Sequence, residues 1–347
     1  MIDFSNSSLE KIIVHKVGNK SRSEEIRLSK SLLSINGNIK DLLSKYFLSP
    51  FKSNEFYNFF HDTNISLNEV FNYVDKIFTA PQSMLEQSEN LAKHLYEKTT
   101  HPKIKSGEFY IVYIKNCLVK DEIVDAIGLF KSESKETFLK VYPTTDNFRI
   151  EGEEGININK LDKGCIIYNI DTENGYLMSI VDNVNKSIEA QYWRDEFLHV
   201  KDCEDSYYFT QKAMQMCKNF VVERLPETFE IDRATQAEML NKSLDFFKEK
   251  SNFSIEEYSQ EVIAQPEIID AFHAYKKDFE LENAIMLENN FSLSENAIVK
   301  QSKNYKSVLK LDKNFTLYIH GNRQNITRGF DDEKNKKFYQ LYFDDEN

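Results

Sequence analysis

The clearest pattern in the chain is a series of short apolar runs between residues 109 and 181. Residues 109–114, 122–130, 137–142 and 176–181 are rich in β-branched and aromatic side chains, and 155–169 holds a further run of the same kind. Polar connectors bound each run, which is the signature of strands. The connectors at 115–121, 131–136 and 171–175 are too short to hold crossover helices. Neighbouring strands are therefore expected to pair antiparallel, because a parallel pair needs about a dozen residues or more to cross over. The pattern predicts an antiparallel meander at the centre of the chain.

Flanking segments change period. Residues 11–17 and 25–29 alternate like two strands around a polar turn at 18–23. Residues 35–47 read as a helix with Ile39, Leu42, Leu43, Tyr46 and Phe47 on one face, ending before Pro50. Ser66-Leu-Asn-Glu69 has the form of a capping box, followed by Val70, Phe71, Val74, Ile77 and Phe78 at helical spacing. A second helix over 83–98 turns Leu85, Leu91, Ala92 and Leu95 inward, so the two predict a helical hairpin against the meander. Residues 207–222 form another helix, with Phe209, Ala213, Met216, Phe220 and Val221 spaced as a core stripe.

The stretch Arg224-Leu-Pro-Glu-Thr-Phe-Glu230 marks the expected boundary between an α+β domain, 1–225, and a second domain, 226–347. Beyond it, helices are predicted at 232–250, after a capping box at Ser254–Glu257, and from Pro266 to about Phe279. Strands return at 305–311, 315–321 and 338–343, with 331–336 suited to a hairpin turn. The fold class is α+β: an antiparallel sheet flanked by helices, then a helical segment ending in a β-hairpin.

Charge sharpens this picture. The chain carries a net charge of −12, which argues against a protein that coats nucleic acid with its whole surface. Yet from Lys300 to Phe330 there are seven Lys/Arg and one acid, Asp312. Such asymmetry suggests one local polyanion-binding face on a repelling body. Lys303, Lys306, Lys310, Lys313, Arg323 and Arg328 can supply phosphate contacts, which position a duplex without reading its sequence. Aromatic residues are interleaved with them. Phe315, Leu317 and Ile319 share one strand face and Thr316, Tyr318 and His320 the other, so Tyr318 can turn towards a ligand.

Catalytic signatures are sparse. There is no P-loop, Gly-x-Gly-x-x-Gly, Gly-x-Ser-x-Gly or His-Glu-x-x-His. Asp125 followed by Glu133-Ser-Lys135 has the residue types of a metal-dependent nuclease, two carboxylates for Mg²⁺ and a lysine to position water. Its spacing fits poorly, since Glu133 and Lys135 fall in a turn. The cysteines (Cys117, Cys165, Cys203, Cys217) have no zinc spacing, and Cys165 lies within an expected strand as an inert thiol. His15 also lies within a strand and reads as a packed residue. No run approaches the roughly 20 apolar residues of a membrane span. The first residues lack a signal peptide's basic and apolar regions, so a cytoplasmic protein is expected. No catalytic residue, cofactor or metal is assigned.

The order of elements and two strings resemble the bacterial nucleoid-associated protein family of about this length. The strings are Gly155-Ile-Asn-Ile-Asn-Lys-Leu-Asp-Lys-Gly-Cys-Ile-Ile-Tyr-Asn169 and Ala190-Gln-Tyr-Trp-Arg-Asp-Glu-Phe-Leu198, joined by the C-terminal hairpin after a helical segment. The resemblance covers nearly the whole chain. It implies a cytoplasmic protein at the bacterial nucleoid, bound to DNA, and it brings no catalytic residues. The leading expectation is a non-enzymatic protein that holds double-stranded DNA with weak sequence preference. The alternatives are an interaction module docking a DNA-bound partner through its acidic surface, and the nuclease. Exposed edge strands make a homodimer plausible.

Overall fold

A computed structural model describes residues 2–183, 192–305, 308–318, 326–343 and 345. The chain divides into two compact units, Met1–Cys203 and Glu204–Asn347, and the architecture is α+β.

The first unit is built on one antiparallel sheet. Its strands are β1 (Ile2–Asp3), β2 (Ser8–Val17), β3 (Tyr57–Phe59), β4 (Gly107–Val119), β5 (Glu122–Ser132), β8 (Lys163–Tyr168), β9 (Leu177–Asp182) and β10 (Val200–Asp202). They lie in the order β1-β4-β5-β8-β9-β3-β10, and β2 also pairs with β4. Lys120 and Asp121, both with positive φ (46° and 67°), close the β4–β5 hairpin. Two central residues of that hand match the twist of the flanking strands.

The remaining run of the expected meander goes elsewhere. Residues 137–142 fall in β6 (Glu136–Pro143), which pairs only with β7 (Phe148–Gly155) in a separate two-stranded ribbon. β5 takes β8 as its neighbour instead. Of the two strands expected at 11–17 and 25–29, the first is β2, while the second makes a single bridge, Lys16 to Arg27.

Both faces of the main sheet are covered, which is why its strands read as nearly unbroken apolar runs. Along β4, Phe109, Ile111 and Tyr113 join one core with helices α2 (Glu69–Thr79) and α3 (Met84–Lys98). The alternate residues Tyr110, Val112 and Ile114 join another, with Tyr46, Phe47 and Leu48 of α1 (Gly37–Leu48). Ile39 and Leu42, expected on the buried face of α1, are instead exposed. Phe130 of β5 stacks on Phe47, centroids 4.3 Å apart and planes 7° from parallel. It also fills the space left by two glycines: a Cβ on Gly128 or Gly164 would lie 2.3 and 3.1 Å from the Phe130 ring. The sole tryptophan, Trp193, is fully buried against Phe109 and Phe197.

The cap of α2 is not Ser66 but Asn68. Its Oδ1 accepts from the Phe71 N–H at 3.0 Å, while its amide donates to the carbonyls of Phe60, Leu198 and His199. A buried Asn that ties three segments together outcompetes a serine that could serve only the helix.

His15 is buried and fully partnered. Its Nδ1 accepts from the Ser29 N–H at 3.0 Å, so Nε2 carries the proton and donates to Ser88 Oγ, also at 3.0 Å. Ser88 in turn donates to the Leu85 carbonyl. Burial lowers the imidazole pKa from 6.5 to about 4, against the attraction of Glu89 and with some help from Lys30. The unfolded chain therefore binds the proton first on acidification. Stability from a neutral His15 is complete above pH 6.5 and is lost as pH falls through about 4. The gap corresponds to roughly 3 kcal/mol. The unfolding free energy of the wild type, from urea titration, is expected to fall between pH 7 and pH 4 by about that much more than in His15→Gln. Parallel pH profiles for the two proteins would remove His15 as the cause.

In the second unit, helices at Ser206–Asn219, Arg233–Glu249 and Pro266–Asn283 share one core, which includes Phe220, Phe247, Tyr258 and Phe272. Ser254 caps its helix as its sequence position predicts, and Asp232, expected as a first helical residue, is instead the cap of the Arg233–Glu249 helix. Two buried tyrosine hydroxyls in this unit are satisfied: Tyr258 donates to Ser243 Oγ at 2.9 Å, and Tyr305 to the Met214 carbonyl at 2.6 Å. Three of the four cysteines are buried. Burial pushes the Cys117 thiol up to about 12 and raises Cys165 and Cys217 as well, while Cys203 is half-buried.

Candidate nucleic-acid interface

The C-terminal strands form two hairpins where the sequence suggested one. After β11 (Asn252–Ser254) and β12 (Asn290–Ser292), which pair with each other, β13 (Val308–Leu311) pairs with β14 (Phe315–Tyr318), and β15 (Ile326–Asp331) pairs with β16 (Lys336–Leu341). Leu317, Ile326 and Tyr339 pack on Ala237 of the Arg233–Glu249 helix. That anchoring leaves other apolar residues in solvent. Phe315 and Tyr318 are both 64% exposed, and Phe330 and Phe338 are exposed too. Gly329 lets the Phe338 ring lie across its own strand pair, since a Cβ there would come within 2.3 Å of that ring.

A groove of about 880 Å³ runs along the hairpins. Arg328, Lys336 and Lys337 supply its cations, Asp312 its one carboxylate, and Phe315, Phe338 and Tyr339 its rings. All three cationic residues are exposed. Register fixes the arrangement: Arg328 stands opposite Tyr339, Phe330 opposite Lys337 and Asp331 opposite Lys336. In the turn, Asp331 accepts from the Lys334 N–H at 3.0 Å and pairs with the Lys334 ammonium at 3.3 Å. These contacts hold its carboxyl below the ordinary carboxylate range.

Of the candidates drawn from the sequence, Arg328 lines this groove. Lys313 is exposed in the β13–β14 turn, and Lys303 is exposed just past the Glu295–Ser302 helix. Register places Lys310 opposite Thr316, and Tyr318 ends β14 opposite Val308. Lys306 and Arg323 lie outside the described residues. Lys336 and Lys337 were missed. Their signal is the same mixture of cations and aromatics, Lys334-Asn-Lys-Lys-Phe-Tyr339, but the acidic Asp331-Asp-Glu333 interrupts the basic tract before it.

The nuclease arrangement does not assemble. Asp125 is taken by Lys115 at 2.7 Å and by the Tyr113 hydroxyl at 2.9 Å. Glu133 follows Asp125 by eight residues along β5 and just past its end, about 26 Å at strand spacing. Glu133 is also buried in a different network. Lys131 Nζ donates to Glu133 Oε1 at 2.8 Å, to the Lys105 carbonyl at 2.9 Å and to the Tyr192 hydroxyl at 3.0 Å. Tyr192 donates to the same Glu133 oxygen at 2.7 Å. Lys135 pairs instead with Glu108. Among the described residues, no group of three His, Cys, Asp or Glu side chains could hold a metal ion. No helix among them is long and apolar enough to cross a membrane.

Fold and surface together define a two-unit α+β protein with a doubly covered sheet and a cationic, aromatic pair of hairpins at its C-terminal end. Residues 13–339 match the model of the family described as nucleoid-associated protein YejK, and the chain belongs to that family. Among curated proteins, none matches it.

Proposed function

We propose that this protein is a non-enzymatic component of the bacterial nucleoid, in the cytoplasm, that holds the phosphate backbone of duplex DNA through its C-terminal hairpins. The observation that carries this reading is the groove in which Arg328, Lys336 and Lys337 stand beside exposed aromatic rings. Lys303, Lys306, Lys310, Lys313, Tyr318 and Arg323 extend the same surface in this reading. Contacts of this kind fix position and affinity but carry little sequence information, so preference among DNA sequences is weak. The acidity of the chain, net −12 overall, keeps the rest of it off the phosphates.

Salt dependence tests the reading. Four phosphate contacts give a slope of about −3.6 for log K against log salt on a duplex. A Lys313→Glu/Arg328→Glu/Lys336→Glu/Lys337→Glu variant is expected to flatten that slope towards zero while its far-UV spectrum is unchanged. Absence of duplex binding at low salt, or an unchanged slope in the variant, would reject the hairpin site. The acidic surface would then be the better candidate, docking a basic partner already on DNA.

A further inference from the structure

The β6–β7 ribbon has no role in the reading above, and its side chains are distributed in an unusual way. Every residue of the two strands is exposed except Tyr142 and Gly155, which are half-buried. Register divides them into two faces. On one, Lys140 pairs with Glu153 at 2.5 Å, Arg149 pairs with Glu151 at 3.3 Å, and the Arg149 guanidinium lies 5.2 Å from the Tyr142 ring centroid. The charged groups of that face are paired with one another, and its one large apolar residue, Phe138, is 43% exposed with its ring beside Gly155. The other presents Leu139, Val141, Phe148 and Ile150, which are 72%, 57%, 66% and 63% exposed. An isolated two-stranded hairpin is marginal in water, and an apolar stripe of this size usually marks an interaction site.

We propose that this apolar face is a homodimer interface, in which two copies stack their ribbons face to face about a two-fold axis. The ribbon is a poor seat for a polyanion, since residues 136–155 carry five acids against two bases. A second copy fits it by shape. A two-fold contact requires a patch that complements itself. Phe148 and Gly152 lie on the same face of β7, two residues to either side of Ile150. An axis that runs between the stacked faces and crosses the strands at Ile150 therefore carries Phe148 of one copy over Gly152 of the other. A Cβ at Gly152 would meet only Thr137 Cγ2, at 3.6 Å, so the glycine leaves a notch for the incoming ring. The same axis brings Pro143 over Leu139. Four side chains exposed to this extent present roughly 500 Å² per copy, so the pair buries about 1,000 Å², the threshold for a specific interface.

Sedimentation equilibrium over a micromolar concentration series tests the proposal. The wild type is expected at the mass of two chains. Phe148→Lys/Ile150→Lys is expected to weaken association at least about hundredfold, as loss of a central apolar anchor does, with its Trp193 fluorescence unchanged. Gly152→Leu adds no charge but fills the notch, and is expected to weaken association as well. Lys140→Gln/Glu153→Gln, on the opposite face, is expected to leave it intact. A monomeric wild type would overturn the proposal, and so would a dimer indifferent to Phe148→Lys/Ile150→Lys.

Discussion

Replacing Lys131 by methionine is expected to destabilise the first unit by about 3–5 kcal/mol, the usual cost of breaking one side of a buried ion pair. The Lys131 and Glu133 side chains are 0% and 3% exposed. Methionine keeps most of the volume but gives up all three hydrogen bonds from Nζ, leaving a buried carboxylate with only the Tyr192 hydroxyl as a donor in this network. Burial already holds the Lys131 ammonium below the ordinary lysine range, with Glu133 acting in the opposite direction. The penalty for a stranded charge therefore dominates the single variant, and removing the charge should relieve it. Lys131→Met/Glu133→Gln is expected to recover at least half of the loss, because an uncharged amide oxygen still accepts from Tyr192. Urea unfolding followed by Trp193 reads this directly, since the only tryptophan lies in the same unit. A single variant within about 1 kcal/mol of wild type would show that this pair contributes little beyond an ordinary surface bridge.

Phe130→Ala has an expected cost of similar size, about 3–5 kcal/mol. The lost ring is stacked on Phe47, meets Phe51 edge-on at 6.2 Å and covers two glycines on adjacent strands. That arrangement makes the partner substitution informative. Gly128→Ala alone drives a methyl into the Phe130 ring, which Phe47 prevents from moving aside, and is destabilising. In the Phe130→Ala background the nearest remaining neighbour of that methyl is the flexible end of Ile114, at 3.3 Å, which can move into the vacated space, so Gly128→Ala becomes stabilising. Contacting residues commonly show interaction terms of this kind. The same sign for Gly128→Ala in both backgrounds would mean that the surrounding core collapses into the gap.

Much of this fold was legible because the strands in the main sheet are apolar on both faces. The runs at 109–114, 122–130 and, from Leu177 on, 176–181 fall in main-sheet strands. Alternation does not say which sheet a strand joins, however, and so the pattern alone sets 137–142 in the meander. Its true neighbour, β7, reads Phe-Arg-Ile-Glu-Gly-Glu-Glu-Gly and lacks the composition of a strand. The short strands β3 and β10, three residues each, lie below the length that periodicity can register. The Lys131 network was hidden for another reason. Lysines are ordinarily assigned to the surface, and this one is tolerated inside by Glu133, by the Lys105 carbonyl and by a tyrosine sixty-one positions away. At the hairpins, Arg328 could be read from the basic tract, whereas Lys336 and Lys337 needed the register that brings β16 back beside it.

The placement of the cysteines has a practical consequence for following this molecule. Three thiols are shut away in the cores and poorly ionised, while Cys203, the last residue of the first unit, has partial access to solvent. Alkylating reagents act on the accessible thiolate. A maleimide dye is therefore expected to label Cys203 in preference to the three buried cysteines.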